Sequence, residues 1–393
     1  MAELTEAESH RRSLVGAKHV QAKELLRDLG IDCWLTFQRE GSDVMLPYVL
    51  GMNELVSQSA LMIFADGPTV AIVMDYDATT VEGIFDEVIA YQSTWRDPLL
   101  TVLQERNPTR IALNYDMLDD GIDGLTYGQY LLLTDALRPI GFADRLESAS
   151  PITSLIRQIK TPEEIERMRR ACEITVHLFG DVTSILKPGL TEWDIYEYLH
   201  DQMKSYNVTA SWDPAYCPGV MSSKRASGHT PPTQIKLEPG DGLRVDLGVI
   251  SEGYASDLMR TWYIRKPGET SAPPAFQHAF DTVRDAIQLA ADAIRPGLTG
   301  IEVDEAARSF VEKAGYEYFH ATGHQVGTRA HDGGLLLGPD NARYGERSRG
   351  LIQAGMTFTL EPVFGPIGIE ENVVVTPEGC AYLVPPQREL WLI

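Results

Sequence analysis

Arg244-Val-Asp-Leu-Gly-Val-Ile-Ser-Glu-Gly-Tyr-Ala-Ser-Asp-Leu-Met-Arg-Thr261 reads as two β-favouring runs around a short polar break at 251–253 that contains a glycine, the pattern of a hairpin. A turn centred between Ser251 and Glu252 sets Asp246 directly opposite Asp257, with β-carbons roughly 5 Å apart on one sheet face. Two carboxylates at that spacing can share a pair of metal ions lying roughly 3.5 to 4 Å apart. Taken alone, the segment also fits a polar hairpin with one aspartate facing solvent and the other in the turn.

Two later segments change that balance. Phe319-His-Ala-Thr-Gly-His-Gln-Val-Gly-Thr-Arg-Ala-His-Asp-Gly-Gly334 holds His320, His324 and His331, three of the nine histidines in the chain, between glycines that let a backbone approach a ligand closely. Imidazole is the commonest metal ligand and carries protons near neutral pH. Gly355-Met-Thr-Phe-Thr-Leu-Glu-Pro362 and Ile367-Gly-Ile-Glu-Glu-Asn-Val-Val-Val-Thr376 are apolar, β-branched strands, each with an acid at a position where the alternation points inward. Burying a carboxylate without a partner is costly, so Glu361 and Glu370 need a reason to be there. Glu371 competes with Glu370, because adjacent strand residues face opposite ways; the alternation favours Glu370.

Four carboxylates and an imidazole gathered at one point repel one another unless something positive sits among them, and a pair of divalent metals is the natural counter-ion. Oxygen and nitrogen donors suit manganese, with cobalt, zinc and iron as alternatives. Two such metals activate water and polarise a carbonyl, so amide hydrolysis is the expected chemistry.

From about Ser150 to its end the chain resembles the pita-bread metallopeptidases, the family of methionine aminopeptidase, aminopeptidase P and Xaa-Pro dipeptidase (prolidase), through its aspartate hairpin, His-x-x-Gly-His segment, Thr-x-Glu-Pro strand and Ile-Glu strand. The resemblance implies that Asp246, Asp257, His324, Glu361 and Glu370 hold two metals, with Asp257 and Glu370 bridging. It further implies that His229, His320 and His331 contact substrate and transition state; the two-metal chemistry itself suggests Glu361 as the group that takes the proton. Arg347, fourteen residues before Glu361, matches the prolidase arginine for the substrate carboxylate, although Arg349 could serve and both could be solvated. Trp212 and Tyr216 are candidates for a proline pocket, or simply pack within a loop. The chain departs from the family pattern at Gly368, where an arginine is usual, at Gln325, which replaces a glycine, and in a short link between Glu361 and Glu370.

The expected function is therefore metal-dependent hydrolysis of the peptide bond preceding proline, first as a dipeptidase, alternatively as an aminopeptidase P on longer peptides. Hydrolysis of a non-peptide C–N bond, as in creatinase or ectoine hydrolase, and a non-catalytic binding module are the rival readings. Creatinase works without the metal set and the binding modules have typically lost ligands, whereas all five are present here. The proline-specific members pair, so the resemblance also implies a homodimer.

An internal repeat points to the same pita-bread architecture, an α+β domain with pseudo-twofold symmetry. Leu186-Lys-Pro-Gly-Leu-Thr-Glu-Trp-Asp-Ile195 recurs as Ile294-Arg-Pro-Gly-Leu-Thr-Gly-Ile-Glu-Val303, 108 residues later. In each copy one helix ends before Pro-Gly and the next starts at a threonine N-cap with an acid three residues on. The 393 residues exceed a usual single core. Residues 1–150 read as a creatinase-like α/β domain, with a helix at 14–29, strands at 33–37, 60–65, 70–74, 88–91 and 110–114, and helices at 99–106 and 127–137. Residues 151–393 form the catalytic domain, with 145–160 as linker and a helix opening at Thr161-Pro-Glu-Glu164.

A net charge of −22 argues against nucleic acid and anionic membrane as partners. No apolar run approaches a membrane span and the first residues lack the form of a signal peptide. The scattered Cys33, Cys172, Cys217 and Cys380 suit a reducing cytoplasm and offer no thiolate pair for zinc.

Overall fold

The computed structural model describes residues 5–117, 119, 121–225, 230–365 and 367–393, and the chain divides into two compact units, Met1–Arg157 and Gln158–Ile393. In the first unit a six-stranded mixed sheet is built from Cys33–Gln38, Ser59–Phe64, Val70–Met74, Glu87–Tyr91, Ile111–Leu113 and Leu146–Ser148. The first strand is central, antiparallel to Ser59–Phe64 and parallel to Ile111–Leu113. Strand alternation sorts its side chains: Cys33, Leu35 and Phe37 enter one apolar cluster and Trp34 another, so both sheet faces are buried. Helices Glu6–Leu29, Arg96–Arg106 and Tyr127–Leu137 complete an α/β unit.

The expected linker at 145–160 is a correction. Leu146–Ser148 joins the sheet edge in parallel with Ile111–Leu113, and Ser150–Gln158 is a helix whose Ile152 and Ile156 are fully buried. A three-residue edge strand carries too little periodicity to be seen in sequence. The first helix also begins earlier than expected, because the Thr5 hydroxyl accepts a hydrogen bond from the Glu8 amide and caps it.

In the second unit the repeat is visible in the backbone. Helices Pro162–Ile185 and Glu192–Ser205 are echoed by Pro274–Ala293 and Gly300–Lys313. Thr191 and Thr299 both cap the second helix of their pair through capping boxes, closed by Asp194 and Glu302, with ψ of 162° and 160°. The preceding turns match as well: the amides of Gly189 and Gly297, at φ of 96° and 91°, donate to the carbonyls of Leu237 and Ile352. The helix after Thr161 carries a third such box.

Four strands in the order Trp391–Leu392, Leu258–Tyr263, Gly242–Leu247, Gly219–Ser222 form one sheet of this unit, and Thr357–Leu360, Glu371–Val375 and Cys380–Tyr382 form another. The second pair of helices packs on the latter through Phe280, Val283, Ile287, Val303 and Val311 against Phe358 and Val373. Among the described residues no helix is long and apolar enough to cross a membrane.

Candidate metal centre and cleft

The hairpin turns one residue later than the sequence suggests. Glu252 and Gly253 both have positive φ, 51° and 82°, the form of a two-residue type I′ turn that matches strand twist. The pairing therefore shifts by two, and Asp246 faces Met259 rather than Asp257. A shift of two preserves the face, so both aspartates still point the same way, as diagonal neighbours.

Asp257 precedes the Leu258–Tyr263 strand, and its backbone is clamped on both sides by the buried amide of Asn372. Its N–H donates to Asn372 Oδ1 at 3.0 Å, and Asn372 Nδ2 donates to its carbonyl at 2.7 Å. Glu370 joins the same strand through reciprocal backbone hydrogen bonds with Met259, and Arg260 Nη1 donates to its carbonyl at 2.9 Å. Glu371 faces away, ion-paired to Arg260 at 3.0 Å and accepting from the Gln387 amide.

The histidine segment lies against the Thr357–Leu360 strand. A Cβ on Gly323 would come within 1.9 Å of the Thr359 carbonyl oxygen, so only glycine permits the approach. The His324 amide then donates to Thr359 Oγ1, and the Glu361 amide to the Thr322 carbonyl. His324 Nδ1 lies 3.1 Å from the Gln325 carbonyl, which makes it the protonated nitrogen and leaves the Nε2 lone pair facing Glu361 Oε1 at 3.6 Å and Asp257 Oδ2 at 3.8 Å. Gln325, in place of a glycine, donates to Gln158 Oε1 at 2.9 Å.

One donor atom each from the buried Asp257, His324 and Glu370 lies within 4.8 Å of the others. Asp246 and Glu361, both part-buried, line the adjoining cleft of about 320 Å³ together with Trp212, Tyr216, Met221, His320 and His331. The rings of His331 and His324 are 4.3 Å apart. Beside His331, Asp332 is buried in an ion pair with Lys160 at 2.9 Å, which fastens the loop. His229 lies outside the described residues. Arg347 is exposed, donates from Nε to the Gly334 carbonyl and is not part of the cleft lining; Arg349 is paired with Asp340 at 2.6 Å.

Sequence reasoning passed over Arg244 and Asn372. Arg244 lines the cleft, and its place two residues before Asp246 on one strand was the available signal. Asn372 gave none, because its partners lie 115 positions away.

Burial and mutual repulsion govern the site's charges. Glu361 is pushed up to about 8 by burial and by Asp246. Asp257 and Glu370 are held well above the usual carboxylate range by burial first and then by the neighbouring acids. Burial and then His331 drive His324 down to about 3, so its imidazole is neutral, and burial lowers His320 too. Glu370 Oε1 is buried without a hydrogen-bond partner among the described residues, an arrangement suited to a cation. This oxygen- and nitrogen-rich donor set fits a pair of divalent ions.

A pH prediction follows for the metal-free protein. An unfolded glutamate ionises near 4.5 and native Glu361 near 8, so the native state holds the extra proton between those values. Stability present at low pH is then lost as pH rises through that window. Thermal melts of chelated protein between about pH 6.5 and pH 8, above the range where the lowered histidines act in the opposite sense, are expected to show a falling midpoint, and divalent metal is expected to flatten the decline.

The pattern of Metallopeptidase family M24 matches residues 166–377, more than half of the chain. The uncharacterized peptidase YqhT of Bacillus subtilis is 28% identical over 280 residues, spanning 69% of this chain and 73% of that protein. Among solved structures, an X-Pro aminopeptidase from Thermotoga maritima superposes with a TM-score of 0.75 at 23% identity, covering 94% of this chain and 100% of that one. An Xaa-Pro dipeptidase from Bacillus anthracis superposes with a TM-score of 0.74 at 23% identity, covering 96% and 100%. The pita-bread architecture expected from the sequence is the one observed.

Proposed function

The chain belongs to metallopeptidase family M24, and from that membership we propose that it hydrolyses the peptide bond preceding proline, first as an Xaa-Pro dipeptidase. The observation that carries the reading is the convergence of Asp257, His324 and Glu370 beside Glu361 and Asp246 at one end of a cleft with aromatic walls. The proline-directed choice follows the Xaa-Pro dipeptidase and the X-Pro aminopeptidase whose folds this chain shares.

Asp246, Asp257, His324, Glu361 and Glu370 are the residues that would hold two divalent ions, which when bound supply Lewis acidity for water activation and carbonyl polarisation. The neutral His324 offers Nε2 because Nδ1 is engaged with the Gln325 carbonyl. Glu361, with one oxygen beside His324 Nε2 and its carboxylate partly open to the cleft, accepts the proton of the attacking water. His320 and His331 hydrogen-bond the substrate carbonyl as it becomes tetrahedral, and His229 is assigned the same outer role. Trp212 and Tyr216 receive the proline ring. The sequence pattern names Arg347 for a dipeptide's carboxylate, but its side chain is exposed, bonded to the Gly334 carbonyl and outside the cleft lining, and Arg349 is engaged with Asp340. Manganese as the metal, a homodimeric assembly and a cytoplasmic location belong to the same proposal.

The test is hydrolysis of an Xaa-Pro dipeptide beside an Xaa-Pro-Yaa tripeptide by chelated protein, before and after adding manganese, cobalt or zinc. Metal-restored cleavage of the dipeptide supports the proposal, and cleavage of the tripeptide alone reassigns the chain to aminopeptidase P. Cleavage of neither by protein with two bound metals refutes a proline-directed peptidase.

A further inference from the structure

Arg244 is a buried cation with no ion pair among the described residues. It leaves the Gly242–Leu247 strand on the same face as Asp246, two residues away, and both line the cleft. The residue is 7% exposed; Nη2 meets the thioether of Met221 at 3.1 Å, and Nη1 is buried without a hydrogen-bond partner among the described residues. Gly368 borders the space that Arg244 fills. A Cβ there would stand 2.8 Å from Arg244 Cδ and 2.4 Å from Met259 Sδ.

The acids whose field Arg244 feels are Asp246 and Glu370. Under the reading above both are committed to the divalent pair, and four carboxylates against two divalent ions leave no negative charge over. A buried guanidinium with an unpartnered Nη1 is unfavourable, and a carboxylate brought by the substrate would relieve it. The planar fork of arginine matches a carboxylate through two parallel hydrogen bonds. Arg347, by comparison, is exposed and outside the lining.

We propose that Arg244 is the anion anchor of the cleft and binds the C-terminal carboxylate of the peptide substrate, in preference to Arg347. This rests on the proline-directed reading and deepens it: a carboxylate received inside the cleft sets substrate length and favours a dipeptide over a longer chain.

The experiment compares Ala-Pro with its uncharged analogue Ala-Pro-amide on manganese-loaded protein, as wild type, Arg244→Met, Arg244→Lys and Arg347→Met, with metal content measured for each. Arg244→Met is expected to lower kcat/KM for Ala-Pro by roughly 10- to 100-fold, mainly through KM, while Ala-Pro-amide changes less than about threefold. Arg244→Lys recovers part of the loss, Arg347→Met leaves the discrimination intact, and all variants keep the wild-type metal content. Equal losses on both substrates, loss of metal in Arg244→Met, or discrimination lost in Arg347→Met instead would overturn the proposal. Calorimetric binding of L-proline and L-prolinamide separates its failure from that of the peptidase reading. In a protein that cleaves neither peptide, weaker L-proline binding by Arg244→Met with unchanged L-prolinamide still supports the anchor, and L-proline binding that is absent or unaltered refutes it.

Discussion

A Glu361→Gln protein is expected to turn over its peptide substrate about 10²- to 10⁴-fold more slowly than the parent, with a much smaller change in KM. The carboxylate has one oxygen 3.6 Å from the lone pair of His324 and is partly open to the cleft. Glutamine keeps the shape and one oxygen for ligation but cannot accept a proton, so the loss should fall on kcat. Single-turnover kinetics with metal content measured alongside is the check. Retention of both ions with near-normal turnover would take the proton-acceptor role away from Glu361.

The second large effect concerns stability. Arg260→Met is expected to cost roughly 3–5 kcal/mol, because it strands the buried Glu371 as an unpaired acid. Arg260 and Glu371 are both fully enclosed at 3.0 Å, and the same guanidinium donates to the Met259 and Glu370 carbonyls at 2.9 Å. Burial already raises Glu371 even though Arg260 works against the shift, so removing the arginine drives that acid toward its neutral form. Urea unfolding of the single variant and of Arg260→Met/Glu371→Leu is the measurement. The double variant should recover most of the loss, and weaker metal retention should mark the single one, since the backbone of Glu370 has lost a donor. A single variant within about 1 kcal/mol of wild type would mean that the pair is dispensable.

Features written in local chemistry were readable from the sequence. The caps at Thr161, Thr191 and Thr299 each need four adjacent residues, and the structure has all three boxes. The strands at 33–37 and 70–74 announce themselves by β-branched and aromatic runs. The hairpin register was missed because Glu252 takes a positive φ that a non-glycine residue rarely adopts. The faces of the two aspartates still came out right, since an error of two residues is invisible to a period of two. Glu370 was separable from Glu371 by the same alternation, whereas the Arg260 pairing that explains Glu371 is a tertiary fact. Arg244 escaped notice because a basic residue in a strand ordinarily faces water, whereas this one lies inside, packed against the glycine at 368.

The twin caps also constrain how this protein could be rebuilt. The residue after Thr191 is Glu192, wholly enclosed and accepting from the Ser222 amide, the Thr233 amide and hydroxyl, and Arg225. The residue after Thr299 is Gly300, where even a methyl group would land 1.8 Å from the Leu336 carbonyl oxygen. One backbone design thus carries a polar hub in one copy and a bare crossing point in the other. A chain assembled from two copies of the first half would drive a glutamate into a carbonyl, and one assembled from two copies of the second would leave those donors empty-handed. The two copies are not spare parts for each other.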